Sequence, residues 1–262
     1  MDKGDIIMIY ELLFSATGRT QKVLDIFSNQ WKEDKERIDL FDFSFDHTKY
    51  SFNKNDLCIV AVPVYGGRVP VPAAEKLKKL QGNGTNTIMI AVFGNRAVDD
   101  ALLELKDILT NTGFIPFAGL EVSVQHSIIP QVEPDRPDAQ DMAEIISFAE
   151  RIKSLLTTKD ELTTINVPGN YPYIDLGPHP FYPNANEKCK SCGLCAQNCP
   201  VRAISFDNLQ GTDKEKCITC MRCVEICPTD ARNFPDEYIN SAFEFLKSCF
   251  EGRKPNKLYI AE

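Results

Sequence analysis

The sequence predicts an α/β protein in two parts: a doubly wound, five-stranded parallel sheet over residues 1–160, and a small α+β domain over residues 187–236. Three observations predict it. Apolar, strand-sized runs alternate with helix-periodic segments as far as residue 157, the pattern of βαβ units. A stretch rich in proline and aromatic residues then ends the alternation. Beyond it, cysteines crowd between Cys189 and Cys227, while Cys58 and Cys249 stand alone.

Taken in order, Ile6–Phe14 is an apolar strand, followed by a turn and a helix through about Trp31. Arg37–Phe41 is the second strand, and Leu57–Val62 is the third, apolar enough to be buried on both faces. Val71–Leu80 is helical, with Pro70 and Pro72 placed where a helix start tolerates them. Thr87–Phe93 is another buried strand, Val98–Thr110 an amphipathic helix, Phe114–Val124 the fifth strand and Asp138–Leu156 the closing helix. Residues 161–186 hold Pro168, Pro172, Pro178, Pro180 and Pro183 among Tyr171, Tyr173, Phe181 and Tyr182. So many prolines exclude a regular helix or central strand, and so many aromatics argue for an ordered arm packed on a domain. Residues 237–262 are expected as a helix, Glu237 to Phe250, and a tail.

Composition narrows the partners. The 37 acidic residues outnumber 29 basic ones, for a net charge of −8. A phosphate backbone needs a concentrated positive surface, so nucleic acid is not expected. A negative carrier is steered instead toward redox protein partners with a basic docking surface. No apolar run approaches the roughly 20 residues of a membrane helix. The first residues, Met1 to Asp5, lack the layout of a signal peptide, so the expected location is cytoplasmic.

Cys189, Cys192, Cys195 and Cys199-Pro200 follow the spacing C-x₂-C-x₂-C-x₃-C-P, and Cys217, Cys220, Cys223 and Cys227-Pro228 repeat it 28 residues later. The same shift superposes Lys188 on Lys216, Ala203 on Ala231 and Phe206 on Phe234. An internal repeat of this kind implies two pseudo-symmetric halves. The spacing is the ligand pattern of cubane [4Fe–4S] clusters. By that pattern Cys189, Cys192, Cys195 and Cys227 take one cluster, and Cys217, Cys220, Cys223 and Cys199 take the other. Structural zinc, the bland alternative, needs only two C-x-x-C pairs and would leave the third cysteine and the Cys-Pro ending surplus. From Glu187 to Pro235 the chain resembles the two-cluster bacterial ferredoxins, which implies one-electron transfer at low potential.

The first strand ends in Phe14-Ser15-Ala16-Thr17-Gly18-Arg19-Thr20 just before a helix. A phosphate there would meet unpaired backbone N–H groups, the positive end of the helix dipole and three hydroxyls. Gly18 permits the tight turn. Two more loops belong at the same sheet edge: Pro63-Val64-Tyr65-Gly66-Gly67 after the third strand, and Phe93-Gly94-Asn95-Arg96-Ala97 after the fourth. Tyr65 is a candidate to stack on a planar ring, and Arg68 and Arg96 are candidates to balance its negative charge. Residues 5–157 resemble flavodoxins, and the whole chain is similar to the flavodoxin–ferredoxin fusion proteins of anaerobic microbes. That resemblance implies non-covalent FMN. Arg19 stands where flavodoxins often carry Asn, and Val98 where relatives often place an aromatic.

Other residues carry less. Cys58 reads as a small core hydrophobe, and Cys249 as a packed residue of the last helix. His126 follows the fifth strand and is expected to meet a backbone partner. His47 and His179 fall in loops, while Asp99 and Asp100 stand where carboxylates favour a helix start. No paired-carboxylate or nucleophile–base constellation is present. The expected function is electron transfer between two [4Fe–4S] clusters and FMN. A ferredoxin-fed flavin reductase acting on a small organic substrate is the alternative, and a redox sensor ranks behind both.

Overall fold

The computed structural model describes residues 6–159, 161–177 and 181–261. Met1 to Asp5 and Pro178, His179 and Pro180, on which some expectations rested, lie outside the described residues.

Five strands run parallel: β1 (Ile9–Leu13), β2 (Lys35–Asp39), β3 (Leu57–Pro63), β4 (Asn86–Phe93) and β5 (Ile115–Ser123). Their spatial order is β2-β1-β3-β4-β5, that of flavodoxin-like doubly wound folds. The helices α1 (Arg19–Ser28), α2 (Val71–Leu77) and α3 (Ala101–Asn111) cross between strands, and α4 (Ala139–Thr158) follows β5. Two apolar clusters result, because β3 and β4 are buried on both faces. Val60, Met89, Leu105 and Leu109 belong to one; Val23, Phe27, Ile59, Ile90 and Ile152 belong to the other. Each such side chain contributes about 1.5–3 kcal/mol on burial. A reciprocal capping box between Asp138 and Asp141 starts α4.

The expected five-stranded sheet acquires a sixth member. Residues expected as a tail form β8 (Lys257–Ile260), antiparallel to β5. The segment is only four residues long, and its partner strand is remote in sequence, so nothing local announces it. It covers the open edge of β5, where unpaired backbone groups would otherwise invite another chain. Asn256 accepts from Ser123 N (2.9 Å) and donates to Asp141 (2.8 Å), which fixes the approach to the strand.

The aromatic arm is ordered along its described residues and lies on α3. Asp100 accepts from Asn170 N (2.7 Å) and Ile174 N (2.6 Å), while Asp107, two turns on, accepts from Tyr173 Oη (2.5 Å) and from Tyr171. Asp100 therefore stands at the helix start, but its carboxylate serves the arm rather than the helix. Asp99 pairs with Arg96.

The cysteine-rich part contains two short helices, α5 (Leu194–Gln197) and α6 (Arg222–Glu225), and a small ribbon of β6 (Asn184–Ala185) with β7 (Arg232–Asn233). α7 (Asp236–Leu246) follows and ends in a 3₁₀ turn, Lys247–Phe250. Phe243, Leu246 and Phe250 pack on Ile129 and Val132, leaving Cys249 exposed on the other side, contrary to expectation.

Candidate functional site

The loops after β1, β3, β4 and β5 meet at the carboxyl edge of the sheet around a cavity of about 110 Å³. Ala16, Thr17, Arg19 and Thr20 line it, with Pro63, Val64, Tyr65 and Gly66, then Phe93 and Gly94, then the segment from Val124 to Ile128. Three loops expected to converge therefore do so, and the loop after β5 adds His126. Gly94 is needed for close approach: a Cβ there would lie 2.7 Å from the His126 ring.

The turn before α1 is shaped as an anion cradle. Gly18 takes the left-handed conformation (φ 78°) at the N-cap, with no side chain capping the helix. Ser15 Oγ accepts from Gln21 N at 3.2 Å. Among the described residues, no protein acceptor meets the N–H groups of Thr17, Gly18, Arg19 and Thr20. Orphan donors at the positive end of a helix dipole suit a phosphate, so the residues fit the phosphate end of a flavin nucleotide.

Not every candidate faces the cavity. Asn95 is buried with φ 55° and holds the C-terminal tail: it donates to Phe250 O (3.2 Å) and Gly252 O (3.1 Å) and accepts from Lys254 N (3.0 Å). Arg96 is paired with Asp99, and Arg68 forks onto Glu104 at 2.7 and 2.8 Å. Gly67 packs against Asp99, and Ala97 lies with Arg96 around a separate cleft. Arg19, in the cavity wall, reaches Gln125 Oε1 (2.5 Å), which lines the same cavity.

His126 has the backbone partners expected of it. Its Nδ1 accepts from Ile128 N (3.2 Å) and Ile129 N (3.0 Å). Burial, reinforced by Arg96 and Arg19, lowers its pKa to about 4. The imidazole is neutral at neutral pH, and the acceptor role of Nδ1 assigns the proton to Nε2.

The cysteine repeat is present in the backbone. Ser191 and Thr219 both have positive φ (52° and 53°), as do Gly193 and Met221 (79° and 66°), and Arg202 and Asp230 (53° and 49°). Every pair is 28 residues apart. Matching amides approach matching sulfurs: Ser191 N to Cys189 Sγ at 3.5 Å and Thr219 N to Cys217 Sγ at 3.4 Å, then Ala203 N to Cys199 Sγ at 3.2 Å and Ala231 N to Cys227 Sγ at 3.3 Å. Such N–H groups favour thiolate and tune bound clusters. No disulfide joins any of the ten cysteines. Among the described residues no three His, Cys, Asp or Glu side chains gather as a single metal ion requires; a cubane spreads its thiolates over separate iron corners. Burial pushes the thiols of Cys220 and Cys223 up to about 12. Near Cys223, the Arg232 guanidinium pulls the other way. Iron would replace those protons, so the chemistry of the donor set fits an iron–sulfur group.

Residues 188–231 match the 4Fe–4S dicluster domain family. That match covers the cysteine-rich part of the chain, while the sheet domain carries the 2-1-3-4-5 strand order of flavodoxin-like folds. Solved structures with similarity to it include a flavodoxin of Streptococcus pneumonia TIGR4, at 21% identity over 57% of this chain and 98% of that one, TM-score 0.40. A Fusobacterium nucleatum flavodoxin bound to flavin mononucleotide is 16% identical over 57% of this chain and 97% of that one, TM-score 0.38. A rubredoxin oxygen:oxidoreductase from the anaerobe Desulfovibrio gigas is 16% identical over 59% of this chain and 36% of that one, TM-score 0.40. No curated protein gave a significant match. Among the described residues no helix is long and apolar enough to cross a membrane.

The ferredoxin domain packs onto the edge of the flavodoxin-like domain that holds the cavity. Ile218 and Thr219, between the first two cysteines of the second run, form part of the cavity wall. Burial raises the Tyr65 phenol well above its usual pKa, and nearby Cys220 adds to the effect, which sets the ring beside the second run. From α6, Arg222 donates to Ala16 O (3.3 Å) and Glu225 approaches Arg19 (3.7 Å). Sequence reasoning missed these clasp residues; the 28-residue shift distinguishes them, since it sets Arg222 and Glu225 against Leu194 and Gln197.

Proposed function

We propose that this protein transfers electrons between two [4Fe–4S] clusters and a non-covalently bound FMN, with redox proteins as partners in the cytoplasm of an anaerobic metabolism. The supporting observation is the shared wall: the loop carrying Ile218 and Thr219 belongs to the second cysteine run and to the cavity at once. The cofactors supply one-electron storage at the clusters and exchange between one- and two-electron chemistry at the flavin.

The chain positions and insulates. Residues Ser15 to Thr20 are assigned to phosphate, through orphan N–H groups and hydroxyls. Pro63 to Gly66, with Phe93 and Gly94, are assigned to the ring end, with Tyr65 between the cavity and Cys220, whereas Gly67, Asn95, Arg96 and Ala97 brace these loops from behind. His126 Nε2 offers a fixed neutral N–H donor at the cavity. Cys189, Cys192, Cys195 and Cys227 are assigned to one cluster. Cys217, Cys220, Cys223 and Cys199 are assigned to the cluster facing the cavity. The domain limits proposed are 1–160, 161–186, 187–236 and 237–262.

Anaerobic purification with metal, sulfide and flavin analysis tests this reading. Iron and inorganic sulfide at about eight each per chain, with bound FMN, are expected. Zinc without sulfide would refute it.

One observation favours a reductase as a second reading. A largely apolar cavity of about 620 Å³, lined by Phe181, Phe234, Tyr238 and Leu246, shares His126, Ile128 and Thr219 with the first cavity. A small organic acceptor such as a quinone, enone or nitro compound fits a lining of that kind. Sustained turnover of one of these by the reduced protein supports a reductase; absence of turnover leaves the carrier.

A further inference from the structure

We infer that the flavin nucleotide site is completed by the ferredoxin domain: Arg222, carried between two cysteines of the second run, positions the phosphate turn through Ala16, so that FMN affinity and cluster assembly are linked. The inference rests on the flavin and iron–sulfur reading above and deepens it.

The two halves of the cysteine repeat differ where the second meets the sheet domain. The 28-residue shift sets Ile218, Arg222 and Glu225 against Lys190, Leu194 and Gln197 of the first run. Those three first-run residues are exposed. Their counterparts touch the nucleotide site: Ile218 lines the cavity, Arg222 Nη1 donates to Ala16 O (3.3 Å) and Glu225 approaches Arg19 (3.7 Å). Cluster ligation needs the cysteines and the turns around them, which both halves share. It explains none of the three second-run choices.

Arg222 holds the turn from two sides. The peptide that follows Ala16 carries the bonded carbonyl at one end and the Thr17 N–H at the other, in one plane and pointing opposite ways. A guanidinium on that carbonyl therefore aims and polarises an N–H that no protein acceptor meets among the described residues. The same guanidinium stands 5.6 Å from the centre of the Phe41 ring, which packs on Phe14 at 5.0 Å, and Phe14 immediately precedes Ser15. Among the described residues no carboxylate pairs with Arg222, and its Nε–H is buried without an acceptor. An unpaired cation in this place adds to the positive potential that a phosphate meets at the start of α1. Glu225 acts one step further on, since Arg19 also donates to Gln125 Oε1 (2.5 Å) in the cavity wall.

The position of Arg222 depends on the winding of the loop that carries it. Thr219 and Met221 flank Cys220, and both take the left-handed conformation (φ 53° and 66°). That conformation is costly for any residue with a Cβ, and more so for a β-branched threonine. Ligation through Cys217, Cys220 and Cys223 offsets the cost and fixes the loop; without it the loop relaxes and Arg222 leaves Ala16. Two groups that each favour the same closed arrangement favour one another, by equal factors in affinity. A chain that has lost its clusters therefore releases its flavin more readily.

The test is anaerobic titration of the full chain with FMN, followed by flavin fluorescence, in iron-loaded and chelator-stripped protein. Stripping is expected to weaken FMN binding about tenfold, the worth of one hydrogen bond from a charged donor. Arg222→Gln that retains full iron and sulfide is expected to weaken it by a similar factor, and Arg222→Lys by less. In stripped protein Arg222→Gln is expected to have no further effect, because the contact is already open; a general loss of stability would act in both forms. Leu194→Ala, at the equivalent place in the first run, is expected to change nothing. If Arg222→Gln does not hold iron, Glu225→Gln carries the comparison, with a smaller weakening expected in loaded protein alone. Equal FMN affinity in loaded and stripped protein, or variant effects of equal size in both, overturns the inference while sparing the reading of the cofactors. An unaltered protein that binds no FMN, or holds no iron and sulfide, would remove both.

Discussion

The two domains reach their folds by different means. In the flavodoxin-like domain, apolar clusters on both faces of one sheet supply the driving force. In the ferredoxin domain, the buried apolar residues between the first and last ligand, cysteines aside, are few: Ala196, Ala203, Ile204 and Met221, with Ala231 and Phe234 just beyond. Cysteines, Pro200, Thr219 and Arg232 are buried beside them. So short a segment buries too little surface to fold unaided, and its ligands must complete it. One domain packs and then binds; the other binds in order to pack.

The largest effect that tests this contrast is removal of iron. Treatment with a chelator and oxidant is expected to unfold residues 187–236 while the sheet domain keeps a cooperative thermal transition. Proteolysis across Glu187 to Pro235 with helical circular dichroism retained would support the contrast; loss of both domains in one step would break it.

Single ligand changes sharpen it. Cys195→Ser and Cys223→Ser are each expected to remove or alter one of two iron signals. Under the proposed exchange of the fourth cysteines between runs, Cys199→Ser is expected to affect the same signal as Cys223→Ser. A Cys199→Ser protein that changes the Cys195 signal instead would reverse the ligand assignment.

A smaller effect concerns pH in the packed domain. His126 has a folded pKa of about 4 against an ordinary value near 6.5. The unfolded chain binds a proton more readily, so this residue destabilises the fold progressively as pH falls from about 6.5 to about 4. The loss is on the order of 3 kcal/mol. His126→Asn, which can keep an acceptor near Nδ1, should flatten the pH dependence of chemical denaturation over that window. An unchanged slope would contradict the assignment.

The smallest effect is at the phosphate turn. Gly18 has open space around its Cβ position but a φ of 78°, so Gly18→Ala costs only backbone strain, about 1 kcal/mol. Stability should fall by that amount and FMN affinity with it, as measured by flavin fluorescence on titration.

How much of this was legible in the sequence follows the same contrast. β3 and β4 were readable because strands buried on both faces are continuous apolar runs, and α3 because its leucines recur at helical spacing. β8 was not, because four residues on a sheet edge gain their meaning only from β5. The cysteine spacing announced the ferredoxin domain, since cluster ligation is local. The Asp100 and Asp107 anchors of the arm were hidden, because a carboxylate near a helix start looks the same whether it serves the helix or a distant backbone. The Arg222 and Glu225 clasp was hidden for the same reason: its partners, Ala16 and Arg19, lie some two hundred residues away.

The central claim is that the cavity-facing cluster delivers electrons to the flavin across the Ile218–Thr219 wall. Anaerobic rapid mixing with a one-electron donor, monitored at cluster and flavin wavelengths, addresses it most directly. Cluster bleaching that precedes flavin reduction, with flavin reduction slowed strongly in Cys223→Ser, is the predicted result. Flavin reduction at an equal rate in a protein stripped of its clusters would contradict it.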